Sequence, residues 1–103
     1  MHVMVISTHS PESCPVFNKD VQKTADAVIQ EFPELLVKHG VKLVGSWRDL
    51  GAHTSWDVYE TPSLDVFWAL VNEPRMVDWL TFSTCEIRIV NSWAELQALR
   101  PKA

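Results

Sequence analysis

Two histidines and two cysteines are the side chains in this 103-residue sequence best suited to holding a metal ion. They are His9, Cys14, His53 and Cys85. Imidazole and thiolate ligands together favour Zn²⁺ or copper over Mg²⁺ or Ca²⁺. The spacing is not that of a zinc finger, because only His9 and Cys14 lie close together in the chain. Whether the four residues form one site therefore depends on the fold.

A second set of chemically useful side chains lies in the later part of the chain. Candidates for binding a small molecule are Arg48, Asp57, Tyr59 and Arg88. For catalysis, His53 or Asp57 could act as the general base, and Tyr59 or Arg48 could stabilise an anion. The sequence has no glycine-rich nucleotide loop, no GxSxG nucleophile motif and no HExxH motif, so nucleotide-binding, hydrolase and metalloprotease functions have no support.

The composition indicates one globular domain spanning residues 1–103. Hydrophobic residues make up 47% of the chain and charged residues 21%. The net charge of −4 disfavours a nucleic-acid partner. We expect no membrane association, because no apolar run approaches the roughly 20 residues of a membrane span. A cytoplasmic location is expected, because the first residues lack the basic segment of a signal peptide.

The first half of the chain predicts a strand, a loop and a long helix. His2–Thr8 is rich in β-branched residues and apolar on both faces, as in a central strand. Apolar residues then recur at helical spacing over Lys19–His39, with Asn18 as the N-cap and Gly40 as the stop. Pro33 lies within this pattern and is expected to kink the helix or start a new turn.

The second half predicts a hairpin, a helical region, a strand and a short tail helix. The hairpin strands are Val41–Leu50 and His53–Glu60, joined by Gly51 and Ala52 in a type II′ turn. This register pairs Trp47 with Trp56, Ser46 with Asp57 and Arg48 with Ser55. The later elements are a helix capped by Ser63 and interrupted at Pro74, a strand over Cys85–Val90, and a helix from the Ser92–Glu95 capping box to about Arg100.

The order βαββαβ plus a tail helix predicts an α+β, ferredoxin-like fold with a four-stranded antiparallel sheet and both helices on one face. In that topology His9, Cys14, His53 and Cys85 lie at the same end of the sheet. Cys85, however, alternates in phase with Ile87 and Ile89 and should point toward the helices. His9, Cys14 and His53 could therefore form a metal site without it.

Strand alternation also predicts which side chains face the helices. We assign Trp47, Trp56, Val58, Ile87 and Ile89 to the helix-covered face. The opposite face would then be polar, with Ser46, Arg48, His53, Ser55, Asp57, Tyr59, Glu86 and Arg88. That face is either exposed to solvent in a monomer or forms a polar cavity inside a dimer, with charges paired as in Arg48 with Asp57.

Several of these residues also have ordinary structural explanations. The two cysteines could be buried apolar residues or a disulfide. His9 could simply bond a loop carbonyl, and His53 could be solvated at the edge of the hairpin. Five tryptophans in so short a chain suggest a large apolar contact surface or a ligand pocket. Among them, Trp68 and Trp79 are expected to pack in the core.

Four segments of the chain are informative together: the His9-Ser-Pro-Glu-Ser-Cys14-Pro opening, the Gly40-Val-Lys-Leu-Val-Gly-Ser46 strand, the short hairpin with His53, and the Glu60-Thr-Pro-Ser63 helix start. In these segments the chain resembles a small stand-alone family, found in archaea and bacteria, of the dimeric α+β-barrel superfamily. The resemblance implies a homodimer. The superfamily includes cofactor-free oxygenases, haem-degrading monooxygenases, isomerases and binding or regulatory modules, so the fold alone implies no activity.

Three functional hypotheses follow. The first is a protein that binds or senses a small molecule or a metal ion, such as Zn or Cu, through the His/Cys cluster and a polar cavity. The alternative is a cofactor-independent oxygenase or isomerase that acts in that cavity. The third is a structural or interaction protein without a pocket function.

Overall fold

A computed structural model describes residues 1–102 of the chain. The elements are β1 (His2–Thr8), α1 (Lys19–His39), β2 (Lys42–Asp49), β3 (Thr54–Glu60), α2 (Leu64–Val71), α3 (Pro74–Val77), β4 (Thr84–Val90) and α4 (Trp93–Leu99). Short 3₁₀ turns cover Pro11–Ser13 and Asp78–Thr81. This order confirms the predicted arrangement with its tail helix. No helix within the described residues has the length and apolar character needed to cross a membrane.

The four strands form one antiparallel sheet with the order β2-β3-β1-β4. This is the predicted ferredoxin-like α+β arrangement, in which the first strand is central. The predicted hairpin register is also confirmed, because Trp47 pairs with Trp56 and Ser46 pairs with Asp57. Nearer the start of β2 the pairing is shifted between Leu43 and Gly45, which marks a β-bulge.

Helix α1 begins and ends at the predicted residues. The side chain of Asn18 accepts hydrogen bonds from the amides of Asp20 and Val21. Gly40 ends the helix with a φ of 65°, a left-handed conformation that glycine adopts without steric cost. Pro33 lies inside this single helix and does not start a new one. Its missing amide hydrogen leaves the carbonyl four residues earlier without its helical partner.

The hairpin turn differs from the predicted type II′ geometry. That geometry needs a positive φ at Gly51, whereas the positive φ of 50° is found at His53. The turn spans four residues, and the amide of His53 donates to the carbonyl of Leu50 at 3.3 Å. The side chain of Asp49 accepts from the amide of Ala52 at 3.1 Å and so stabilises this longer turn.

The prediction of which sheet face the helices cover was wrong for β2 and β3. Ser55, Asp57 and Tyr59 are each at most 8% exposed and face the helices. The reason lies in β1, where Val5 pairs with both Asp57 and Ile87 and so places them on one face. The face without α1–α3, called the open face below, carries Met4, Ile6, Trp47, Trp56, Val58, Glu86 and Arg88. His53 belongs to neither face, because it lies in the turn before β3.

The core lies between the sheet and the helices. Its buried members are Val3, Val41, Tyr59, Phe67 and Leu70, and side chains from α1 such as Phe32 pack against them. The rings of Tyr59 and Phe67 lie 5.3 Å apart, centre to centre. Tyr59 thus serves as a core aromatic residue although its hydroxyl group is polar.

Replacing the exposed Pro33 should stabilise the protein. In Pro33→Ala, the carbonyl of Ile29 regains its helical partner, and we expect the free energy of unfolding to rise by about 1–3 kcal/mol. Urea denaturation followed by circular dichroism measures the change. The control is Glu34→Ala at the neighbouring exposed position, which should change stability by less than about 0.5 kcal/mol. A Pro33→Ala protein of equal or lower stability would contradict an unbroken α1.

Candidate functional site

His9, Cys14 and His53 come together at one end of the sheet. One potential ligand atom from each lies within 4.8 Å of the other two. His53 Nδ1 and His9 Nε2 are 3.3 Å apart, and the two rings meet edge to face at an interplanar angle of 70°. The topological argument from the sequence placed these three residues at this end.

Local backbone contacts hold each member of this His/Cys cluster. His9 follows β1, and its amide donates to the carbonyl of His53 at 3.2 Å. That bond joins the loop after β1 to the hairpin turn. Cys14 is 1% exposed. Its amide donates to Pro11 of the 3₁₀ turn, and its carbonyl accepts from the amide of Asn18 at 2.8 Å. The cap of α1 therefore also fixes the thiol.

The electrostatics of the cluster favour uncharged imidazole at His9. Burial lowers the pKa of His9, and the nearby His53 lowers the same pKa further. The neutral form has a free nitrogen lone pair, which is the form that binds a metal. Two imidazoles and one thiol are a ligand set for a first-row transition metal.

Cys85 is separate from this cluster. Its thiol lies 3.2 Å from Ser7 Oγ, which also accepts a hydrogen bond from Trp79 Nε1 at 3.4 Å. Cys85 lines a cavity between the sheet and the helices, as its alternation with Ile87 indicated. Both cysteines are free thiols, so the alternative of a Cys14–Cys85 disulfide does not apply.

That cavity has a volume of about 410 Å³ and brings together three of the four residues predicted to bind a small molecule. Arg48 Nη1 donates to Asp57 Oδ1 at 3.0 Å, and Ser46 donates to the same oxygen. The predicted Arg48–Asp57 ion pair is therefore present, but it faces the helices. Tyr59 lines the same cavity.

Tyr59 keeps its proton in this setting. Burial raises the pKa of its hydroxyl well above the ordinary range, and the carboxylate of Asp57 raises it further. The phenol group is therefore a hydrogen-bond donor at all physiological pH values.

Arg88 is placed apart from the other three ligand-binding candidates. It lies on the open face, where it donates to Glu86 of the same strand. Its side chain is 59% exposed. The catalytic candidates are likewise divided, because His53 contacts His9 whereas Asp57 and Tyr59 lie in the cavity.

Sequence reasoning did not identify the aromatic walls of the cavity. Trp68 and Trp79 were expected in the core, but both line the cavity, and Trp68 is 46% exposed. The high tryptophan content was the only signal for a pocket, and it did not indicate which residues form it. Predicting the cavity would have required the distance between the helices and the sheet, which the sequence pattern does not give.

Comparisons with known proteins agree with this fold. A family model described as "Domain of unknown function (DUF3303)" matches residues 1–103. No curated protein sequence matches the chain. The chain is similar in structure to protein Atu4242 from Agrobacterium tumefaciens, with 17% identity, a TM-score of 0.51, and coverage of 90% of this chain and 96% of that one. An uncharacterized NIPSNAP domain protein from Burkholderia xenovorans is similar with 8% identity, a TM-score of 0.50, and coverage of 90% and 97%. At these identities the likeness concerns the fold alone.

The pKa of His9 provides a test of the cluster geometry. In metal-free protein, NMR titration should show a His9 pKa below that of an ordinary histidine. In His53→Gln the pKa of His9 should rise, because the repulsion between two imidazolium charges is removed. It should remain below the ordinary value, because burial is the larger cause. His2→Gln is the control and should leave His9 unchanged. An unaltered His9 pKa in His53→Gln would mean that the two rings are not in contact.

Proposed function

The chain belongs to the DUF3303 family, and we propose that it is a metal-binding protein that holds Zn²⁺ or a copper ion through His9, Cys14 and His53. The observation that carries this proposal is the convergence of two imidazoles and a thiol within 4.8 Å. These residues come from three separate parts of the chain, so their meeting is a property of the fold and not of local sequence.

The distances suit a single ion with tetrahedral geometry. Two nitrogen ligands at about 2.1 Å from such an ion are roughly 3.4 Å apart. His9 Nε2 and His53 Nδ1 are 3.3 Å apart. Without a metal, these two ring nitrogens can share only one hydrogen bond, in which one donates and the other accepts. A metal ion between them would instead accept a lone pair from each nitrogen. The thiol lies within 4.8 Å of both nitrogens. A tetrahedral site with a sulfur–metal bond of about 2.3 Å needs about 3.6 Å between sulfur and nitrogen, so the thiol has to move by at most about 1.2 Å.

Three protein ligands leave a fourth position open on a tetrahedral ion. A shallow depression beside the cluster is lined by His9, Ser10, Ser13, Thr81 and Ser83, among others. Water or a small ligand could therefore reach the ion from this side. This accessibility supports a binding or sensing role over a closed structural site.

Metal content and affinity test the proposal. Protein purified without a histidine tag should bind one Zn²⁺ or copper ion per chain, measured by elemental analysis and by competition with a chromogenic chelator. In Cys14→Ser the affinity should fall by at least about 100-fold, because the soft ligand is lost while the size of the side chain is kept. Cys85→Ser is the matched control, since that thiol lies in the cavity, and it should retain the affinity of the wild type.

Two results would contradict metal binding at this cluster. One is a folded wild-type protein that binds neither ion more tightly than Cys14→Ser does. The other is an equal loss of affinity in Cys85→Ser and Cys14→Ser. Circular dichroism of each variant separates loss of the site from loss of the fold.

We also propose that the protein is a homodimer whose copies meet through their open faces. Met4, Ile6, Trp56 and Val58 form an apolar surface there, and Trp47 is 58% exposed beside them. The tail helix α4 adds Trp93, which is 72% exposed, and its first turn joins this face through Glu95 and His2 at 2.6 Å.

A second copy is the occupant that suits these features. The open face is apolar at Met4, Ile6, Trp56 and Val58, and the charges of Glu86 and Arg88 beside them are paired with each other. A two-fold axis brings an equally apolar surface against it. Helix α4 has only seven residues and is too short to be stable alone, so covering its apolar side chains would also stabilise it.

Trp47→Glu should dissociate the dimer, because a charge in a paired apolar face is costly to desolvate. Sedimentation equilibrium of the wild type should give twice the chain mass, and the variant should give a monomer of native secondary structure. Val37→Glu on α1 is the control, since Val37 is 82% exposed and lies away from the open face. A monomeric wild-type protein would refute the dimer without affecting the metal proposal.

A further inference from the structure

The cavity between the sheet and the helices contains hydrogen-bonding groups that lack partners in the protein. The hydroxyl of Tyr59 makes no hydrogen bond to another residue among residues 1–102, although Tyr59 as a whole is only 7% exposed. Both hydrogen bonds to the carboxylate of Asp57 go to Oδ1. The donor of Tyr59 and the second oxygen of Asp57 are therefore available at the cavity surface.

The two residues are neighbours on one face of β3, and both line the cavity. Asp57 and Tyr59 are alternate residues of β3 and so project from the same face of the sheet, about 7 Å apart along the strand. No buried side-chain nitrogen or oxygen among the described residues lacks a hydrogen-bond partner, so the Tyr59 hydroxyl and Asp57 Oδ2 are accessible from the cavity and not sealed in the core. A ligand that fills the cavity must therefore offer them a hydrogen bond or leave them unpaired, at a cost of about 1–3 kcal/mol.

The rest of the cavity selects for an apolar, aromatic molecule. Its walls include the rings of Phe32, Phe67, Trp68 and Trp79. Elsewhere in the lining, Ser7, Cys85 and Trp79 already form hydrogen bonds with one another. Asn72 also lines the cavity, but its side-chain amide donates to the carbonyl of Trp68 at 2.8 Å. The region of Asp57 and Tyr59 therefore offers both a donor and an acceptor to a polar group of a ligand.

The charge at this region favours a neutral ligand. Arg48 and Asp57 neutralise each other at 3.0 Å. A charged ligand would lose its hydration on entry without meeting an unpaired opposite charge. A hydroxyl group, in contrast, can accept from Tyr59 and donate to Asp57 Oδ2 at the same time.

From these observations we propose that the cavity binds a neutral aromatic molecule bearing a hydroxyl group, with the hydroxyl held between Tyr59 and Asp57. The volume of about 410 Å³ has room for two or three fused rings. This binding site is separate from the His/Cys cluster and does not depend on a metal ion.

The test uses three probes of one shape: 2-naphthol, naphthalene and naphthalene-2-carboxylate. Equilibrium dialysis against the wild-type protein measures each affinity from the absorbance of the probe. We expect 2-naphthol to bind about tenfold more tightly than naphthalene, because naphthalene leaves both polar groups unpaired. The carboxylate should bind at least about tenfold more weakly than 2-naphthol, because its charge has no free partner.

Variants at the two residues locate the bound hydroxyl. Tyr59→Phe and Asp57→Asn should each weaken 2-naphthol binding by about 3- to 10-fold and leave naphthalene binding unchanged. Unchanged naphthalene binding also reports that the cavity is still folded. Arg88→Gln on the open face is the control and should bind all three probes as the wild type does.

Three results would overturn the proposal: naphthalene bound as tightly as 2-naphthol, full 2-naphthol affinity in both cavity variants, or no binding of 2-naphthol to the wild type. The Cys14→Ser protein distinguishes this site from the proposed metal site. It should bind 2-naphthol normally even though it has lost the metal ligand.

Discussion

The pairing of Val5 with both Asp57 and Ile87 determines the orientation of the whole sheet. Because β1 is central, its alternation sets which side of β3 and β4 meets the helices. Asp57 is thereby turned inward, and Arg48 and Ser46 must come from the edge strand to pair with its carboxylate. A buried carboxylate without such partners would be costly. The polar end of the cavity is a consequence of this one register.

The elements and the hairpin register could be predicted because local signals specify them. Asn18, Gly40 and the Ser92–Glu95 capping box each act within a few residues of their position. The faces of the sheet could not be predicted in this way. Within β3, Trp56 and Val58 look more apolar than Asp57, so they were assigned to the core. The β1–β3 register, which contradicts this, is a long-range property that no local pattern reveals. In this register Trp56 and Val58 lie on the open face, where they form a second apolar surface with Met4 and Ile6.

The His/Cys cluster was easier to predict than the cavity, for a physical reason. Its members lie at strand ends and turns, and the antiparallel order alone brings those to one end of the sheet. Strand alternation decided which of the four residues belong to the cluster. Cys85 faces the helices like Ile87 and pairs with Ser7. His53 lies in the turn before β3, so the alternation of the strand does not determine its direction. The left-handed conformation of His53 was not foreseen, since glycine was the expected residue at such a position.

The same chain leaves much of its apolar surface uncovered, and this links its proposed ligands to its stability. The largest fully buried side chains are only Phe67, Leu70, Val3 and Cys14. Trp47, Trp93 and Leu99 are all more than half exposed. A domain of this size has little stability to spare.

A ligand that binds only the folded chain raises the free energy of unfolding, by about 2.7 kcal/mol at a free ligand concentration 100 times the dissociation constant. The proposed metal ion, aromatic ligand and second copy would occupy different surfaces, so their contributions to stability should add. Thermal denaturation with each present alone and in combination should therefore show separate, cumulative increases in the midpoint. Equal midpoints with one ligand and with two would instead mean that the sites are coupled or shared.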